Sequence, residues 1–133
     1  MPEAKATLSN YRQSPRKVRL VADTVRGKSV GEALITLSFI PKRSALPLQK
    51  LLASALANAK DLSMPTESLV VKEIRVDEGA TLYRRRPRSK GMANPIRKRT
   101  SHISVLLASA NKFNKSKKVN KLNKANLSNL SEA

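Results

Sequence analysis

The sequence predicts one domain of the α/β class, of the α+β type, in which three helices precede two strands joined by a long basic segment. The length of 133 residues is typical of a single domain. Apolar residues in the first half of the chain recur at helical spacing. Two segments rich in β-branched residues follow, and the stretch between them is rich in arginine.

The first helix begins at Ser14, which suits an N-cap, with Pro15 at the first helical position. Gly27 is expected just beyond its end, where a left-handed backbone is common. The apolar stripe of this helix follows the i, i+3, i+4, i+7 pattern and consists of Val18, Val21, Ala22 and Val25.

Two more helices are expected before the strands. Residues 29–32 fit a capping box, and the second helix should end near Ile40 because Pro41 discourages its continuation. The third helix is expected over Lys42 to Leu62, with a kink in its first turns at Pro47. Its predicted apolar face consists of Ala45, Leu48, Leu52, Ala55, Leu56 and Ala59.

Strands are predicted from Leu69 to Asp77 and from Ser101 to Ala108. A short N-terminal strand around Lys5 to Arg12 has only a weak pattern in its support. The residues expected to face the core are Val70, Ile74 and Val76 on the first of the two strands and Ile103, Val105 and Leu107 on the second.

The segment 79–101 between these strands is expected to form an extended hairpin with its tip at residues 89–91. Arms of this length reach roughly 30 Å. Consecutive arginines point to both faces of a strand, so neither face can pack on the domain, and Pro87 and Pro95 remove ladder donors. We therefore expect the hairpin to become ordered among phosphates, and the alternative is a solvated basic loop or a nuclear localisation signal. The basic residues of the hairpin are Arg84, Arg85, Arg86, Arg88, Lys90, Arg97, Lys98 and Arg99.

The formal net charge of +18 points to a polyanionic partner. Nucleic acid is the leading candidate, followed by an anionic membrane surface and an acidic protein. A second basic cluster near the first helix is interpreted as phosphate-contacting, with a solvated helix face as the alternative. This cluster consists of Arg12, Arg16, Lys17, Arg19, Arg26 and Lys28.

Other classes of function are disfavoured by composition. The chain has no cysteine and one histidine, His102, so we expect no metal site, no cofactor and no enzymatic activity. His102 is interpreted as a packing or RNA-contacting residue. The longest apolar runs are too short to span a bilayer, and residues 1–5 do not resemble a secretory signal, so a soluble intracellular protein is expected. Aromatic residues are scarce, which favours recognition of shape and phosphates over base stacking.

The last part of the chain, residues 109–133, is rich in lysine, asparagine and serine. Such low-complexity composition is typical of a disordered or weakly helical extension. It is expected to add diffuse electrostatic attraction, and the alternative is a dispensable tail. The predicted organisation is therefore one domain over residues 1–108 and an extension over residues 109–133.

Several motifs in residues 8–108 resemble the bacterial-type family of large-subunit ribosomal protein twenty-two. They are SPRKVRLVAD at 14–23, RGK at 26–28, SALANA at 54–59, VDEG at 76–79, PRSKG at 87–91 and KRTSHI at 98–103. The resemblance implies three helices against a three-stranded antiparallel sheet. It also implies a structural role in the large ribosomal subunit, in the cytoplasm or in an organelle.

The same resemblance implies that the hairpin penetrates ribosomal RNA, that the protein aids assembly, and that the hairpin tip lines the nascent-peptide exit tunnel. The implied partners are large-subunit ribosomal RNA, neighbouring ribosomal proteins and the nascent peptide, without a membrane. The tip positions are Arg86, Pro87, Arg88, Ser89, Lys90, Gly91 and Met92. The alternative hypothesis is a DNA-architectural or other non-ribosomal nucleic-acid-binding protein.

Overall fold

The computed structural model describes residues 3–109, and the predicted extension from residue 110 onward lies outside the described residues. In chain order, the helices and strands are β1 (Ala4–Tyr11), α1 (Pro15–Val25), α2 (Val30–Phe39), α3 (Ala45–Asp61), β2 (Leu69–Glu78), β3 (Leu82–Pro87), β4 (Ala93–Lys98) and β5 (Ser101–Ser109). A single 3₁₀ turn occupies Thr66–Ser68, and Ser89–Gly91 form the turn between β3 and β4. The predicted α+β class is confirmed.

Two antiparallel sheets organise the described part of the chain. The larger sheet has the strand order β1-β5-β2, and β3 pairs only with β4 in the smaller sheet. The three helices pack against the larger sheet, α3 on β1 and β5, and α1 on β2. The core lies between these layers, and its largest fully buried apolar side chains are Leu37, Leu48, Leu52, Leu69, Ile74, Ile103 and Leu107.

Helix α1 follows the predicted pattern except at its cap. All four residues of the predicted stripe are buried, and Gly27 has the expected positive φ of 76°. Ser14 occupies the N-cap position, but its side chain makes no capping hydrogen bond. Its carbonyl oxygen accepts instead from the backbone N–H groups of Lys17 and Val18, at 3.0 and 3.2 Å. The main chain and Pro15 therefore define this helix start without the side-chain cap.

Helix α2 confirms the predicted cap, because the Ser29 hydroxyl accepts from the backbone N–H of Glu32 at 3.3 Å. Helix α3 begins at Ala45, so the expected start at Lys42 was wrong. Residues 42–44 form a separate turn in which the N–H of Ala45 donates to the Lys42 carbonyl at 2.9 Å. Pro47 is the third helical residue, where a backbone N–H would have no intrahelical partner, so its position is compatible with the first turn.

Two predicted inward positions are only half-buried. Leu56 lies at the margin of the core rather than inside it. Val70 is also half-buried, while its neighbours Leu69 and Val71 are buried, so its predicted inward direction was wrong. The cause is a β-bulge: Val71 pairs with Leu107 and Glu73 with the adjacent Leu106, which leaves Lys72 as an extra residue. The bulge reverses the alternation of β2, so Ile74 and Val76 remain inward as predicted.

The N-terminal segment forms a full edge strand rather than a marginal one. Strand β1 pairs with β5 from Ala4 opposite Leu107 to Tyr11 opposite Ser101, with a second irregularity between Leu8 and Tyr11. Asn10 lies in this irregularity with φ of 56°. Ala4 and Ala6 are buried against the helices. These small residues gave a weak strand pattern in the sequence.

Candidate nucleic-acid interface

The β3–β4 hairpin exposes every residue of both its strands. Arg84 lies opposite Ile96 and Arg86 opposite Asn94, so these two arginines share one face. Arg85, one position along, lies on the other face. Cross-strand pairs there join Tyr83 with Arg97 and Arg85 with Pro95. The register thus confirms that basic side chains lie on both faces of the hairpin.

The basic side chains of the hairpin have no acidic partners in the described residues. All the ion pairs described for residues 3–109 belong to the body, which comprises the larger sheet and the helices. Within the hairpin, the Arg84 guanidinium donates to the carbonyl of Tyr83 at 2.8 Å. The hairpin is therefore a cationic surface whose charge the described part of the protein leaves uncompensated.

A three-residue turn closes the hairpin at the predicted tip. The N–H of Arg88 donates to the Met92 carbonyl at 2.7 Å, and residues 89–91 form the turn. Lys90 and Gly91 both have left-handed backbones, with φ of 58° and 67°. A lysine in this region is uncommon, whereas glycine adopts it freely. The turn exposes Arg88, Lys90 and Met92 at the far end of the hairpin, and Met92 is 65% exposed.

The base of the hairpin is held to the larger sheet by Thr100. The backbone N–H of Gly79 donates to the Thr100 carbonyl at 3.0 Å, and the Thr100 hydroxyl donates to the Ala80 carbonyl at 2.7 Å. Thr100 is buried, whereas the hairpin strands are exposed. A Cβ at Gly79 would lie only 2.4 Å from the Thr100 Oγ1 atom. The two segments at the base of the hairpin therefore approach each other so closely at residue 79 that only a glycine fits there.

His102 has a structural hydrogen bond next to this junction. Its Nδ1 atom accepts from the backbone N–H of Asn10 at 3.1 Å, across the irregularity in β1. An accepting Nδ1 places the proton of a neutral imidazole on Nε2. The packing interpretation of His102 is consistent with this contact.

The basic residues of the second cluster, near α1, have different roles in the structure. Arg19 donates from Nε and Nη2 to the Val76 carbonyl, at 3.0 and 2.9 Å, and Arg26 donates to the Ile74 carbonyl at 3.1 Å. Because β2 is an edge strand, these guanidinium groups satisfy carbonyls that no neighbouring strand pairs. Sequence reasoning missed this role. The basic residues on α1 signalled a function, but the acceptors lie 57 and 48 residues away along the chain.

The remaining members of the cluster lie at different places. Arg26 also pairs with Asp23 at 2.7 Å, and the Lys28 ammonium group donates to the Thr36 hydroxyl at 3.4 Å. Arg12 follows the end of β1 and is exposed, as are Arg16 and Lys17 in the first turn of α1. Two residues of the cluster, Arg16 and Arg19, line one cavity together with Arg99 at the base of the hairpin. This cavity is lined by Ser14, Pro15, Arg16, Arg19, Glu78 and Arg99.

Neither a metal site nor a membrane-spanning helix is found within residues 3–109. No group of acidic, histidine or cysteine side chains in this range is arranged to hold a metal ion. Among the same residues, no helix combines the length and the apolar character needed to cross a membrane.

Comparison with known proteins identifies the family. Residues 6–108 match the family described as ribosomal protein L22p/L17e. The chain is 54% identical over 108 residues to the large ribosomal subunit protein uL22 of Desulfitobacterium hafniense strain Y51, which covers 80% of this chain and 95% of that protein. It is 50% identical over 109 residues to the uL22 protein of Lactobacillus helveticus strain DPC 4571, which covers 81% and 93%, respectively.

These matches span α1, α3, β2, the hairpin and the start of β5, where the motifs behind the resemblance lie. They assign the chain to ribosomal proteins of the large subunit, and RNA binding and translation follow from this family. The chain belongs to the L22p/L17e family and is a ribosomal protein of the large subunit.

Proposed function

We propose that this protein binds large-subunit ribosomal RNA chiefly through the β3–β4 hairpin and aids assembly of the subunit. One observation carries the proposal: the hairpin has basic side chains on both faces, all its strand residues are exposed, and none of its cations is ion-paired within the described residues. An isolated two-stranded ribbon is marginally stable in water. RNA phosphates around both faces would stabilise it and neutralise its charge.

The body supplies a second set of contacts in this proposal. Three exposed residues lie around the start of α1, namely Arg12, Arg16 and Lys17. Arg19 and Arg26 are also exposed, although their guanidinium groups donate hydrogen bonds to the edge of β2. Lys28 completes the set. In our proposal, residues 1–108 form one RNA-binding domain, and the extension over residues 109–133 adds six lysines of diffuse attraction.

The tip is proposed to line the nascent-peptide exit tunnel. Residues 86–92 lie at the end of the hairpin farthest from the body, which is the part that would reach deepest into RNA. The exposed side chains of Arg88, Lys90 and Met92 would then face the tunnel wall or the nascent peptide. Neighbouring ribosomal proteins would contact the body, in a cytoplasmic or organellar ribosome.

Sedimentation of a native lysate through a sucrose gradient in high salt and magnesium tests the proposed RNA binding. About one copy of the protein per large subunit should remain with the particle. A variant with Arg84, Arg85, Arg86 and Arg97 changed to glutamine should dissociate at lower salt. If the variant and the wild-type chain dissociate at the same salt concentration, the hairpin does not carry the binding.

Photocrosslinking tests the position of the tip. A photoreactive amino acid at Lys90 should crosslink to a nascent peptide in stalled ribosomes, whereas the same group at Lys60, in the last turn of α3, should not. Equal crosslinking from both positions, or none from Lys90 in particles that contain the protein, would refute the tunnel assignment.

A further inference from the structure

We infer that the cavity between the body and the hairpin binds one phosphate group of the RNA backbone, and that this phosphate fixes the hairpin to the body. The inference rests on the proposed RNA binding and adds a discrete site to it. The cavity has a volume of about 320 Å³ and lies where the start of α1 meets the base of the hairpin. That volume is sufficient for a phosphate group.

Two of the three arginines that line the cavity belong to the body. Arg16 and Arg19 lie three residues apart on α1, which places them on the same face of the helix. The two hydrogen bonds from Arg19 to the Val76 carbonyl hold its guanidinium group against β2. An anion at this position would therefore meet a donor whose direction is already fixed.

The third arginine belongs to the hairpin. Arg99 follows the last residue of β4 and precedes Thr100, which is buried and bonded to both Gly79 and Ala80. The body and the hairpin thus each contribute arginines to the lining of one cavity. A phosphate between them would contact both parts at once, and it would fix the angle at which the hairpin leaves the body.

The charges of the cavity suit a phosphodiester. Three guanidinium groups and the Glu78 carboxylate give a net charge of +2. None of the three arginines forms an ion pair with Glu78 in the described part of the chain. Guanidinium forks match the oxygen atoms of a phosphate, and several of them around one anion favour a single bound position. The Glu78 carboxylate repels the anion, so its removal should strengthen binding, whereas removal of an arginine should weaken it.

The first test uses the free full-length protein and inorganic phosphate. NMR should follow the side-chain Nε–H signals of arginine during a phosphate titration at constant ionic strength and pH. The signals of Arg16, Arg19 and Arg99 should shift together with one saturation curve. Arg16→Gln and Arg99→Gln should each weaken the binding about fivefold or more. Arg75→Gln, which removes an exposed cation outside the cavity, should leave it unchanged.

Shifts spread equally over the exposed arginines, or equal effects of Arg99→Gln and Arg75→Gln, would overturn the inference. In those cases the cationic surface attracts anions diffusely and no discrete site exists.

The second test asks whether the anion comes from RNA. Glu78→Gln should tighten binding to purified large-subunit ribosomal RNA by about twofold to fivefold, because it removes a negative charge beside the phosphate. Glu67→Gln is the matched control, since Glu67 lies in the turn that precedes β2, whereas Glu78 is the last residue of that strand. It makes the same change of charge and should have a smaller effect. Thermal unfolding should verify that both variants are folded.

Equal effects of the two glutamine variants would mean that the cavity takes free phosphate rather than the RNA backbone, which would also overturn the inference. A wild-type protein that fails to bind ribosomal RNA would refute the proposed function itself. The phosphate titration contains no RNA, so the two failures are distinguishable.

Discussion

At the scale of single residues, Gly79 shows how little space the hairpin junction leaves. An added Cβ would lie 2.4 Å from the Thr100 Oγ1 atom and 2.8 Å from the His102 Nε2 atom. Gly79→Ala should therefore lower the free energy of unfolding by about 1–3 kcal/mol, measured by urea denaturation. Gly31→Ala is the matched control, because a Cβ there meets nothing within 4 Å and alanine favours the helix. Equal stabilities of the two variants would contradict the steric argument.

His102 permits a second prediction at this scale. His102→Ala removes the acceptor of the Asn10 N–H, and because this hydrogen bond is exposed the loss should destabilise the protein by about 0.5–1.5 kcal/mol. Asn10→Gly should be tolerated, because glycine accepts the φ of 56° and retains the donor. Urea denaturation of both variants measures the difference. A stable His102→Ala variant would show that the contact contributes little.

The arginines on α1 also show what a sequence cannot reveal residue by residue. Their charge was visible in the sequence, and it predicted phosphate contacts. The hydrogen bonds of Arg19 and Arg26 to β2 depend on which strand lies at the edge of the sheet and on how α1 crosses it. No local pattern encodes that arrangement. The meeting of Arg16 with Arg99 across 83 positions is equally invisible in the sequence.

At the scale of helices and strands, prediction succeeded where local chemistry decides the structure. The stripe of α1, the Ser29 cap and the inward residues of β5 depend on spacing within one segment. The predicted inward direction of Val70 was wrong because the bulge at Lys72 reverses the alternation of β2. A bulge depends on pairing with another strand, here β5, which the sequence of β2 alone does not show. The hairpin was predictable because consecutive arginines exclude both of its faces from the core.

The hairpin tip should be dispensable for folding of the body. Residues 88–92 are exposed, and none of them belongs to the core. Replacing these five residues with Asn-Gly, a two-residue turn that suits a hairpin, should shift Tm by less than about 2 °C. Circular dichroism during heating measures this shift. A large drop in Tm would show that the tip stabilises the body, contrary to its exposure.

At the scale of the whole molecule, positive charge is divided between a partly compensated body and an uncompensated hairpin. Arg75 lies near Glu73 and Asp77, at 3.7 and 4.0 Å, and Lys72 pairs with Glu3. The segment from Gly79 to Thr100 contains eight basic residues and no acidic one. A fold that neutralises part of its own body in this way concentrates its attraction for a polyanion on the hairpin.

This division predicts that both faces of the hairpin contribute to RNA binding. Each neutralised phosphate adds about 0.7–0.9 to the slope of log affinity against log salt concentration. Changing Arg84 and Arg86 to glutamine on one face should lower that slope by about 1.4–1.8, and changing Arg85 and Arg97 on the other should do the same. Binding to purified large-subunit ribosomal RNA, measured at several salt concentrations, gives the slopes.

The matched control removes two cations from the body, Lys72 and Arg75, which already have acidic partners. Their replacement with glutamine should leave the slope nearly unchanged, because they release few counterions from RNA. If only one face of the hairpin alters the slope, the hairpin lies flat on the RNA and its other face is open. Two equal losses require phosphates on both sides, which only a hairpin inserted into the RNA can have.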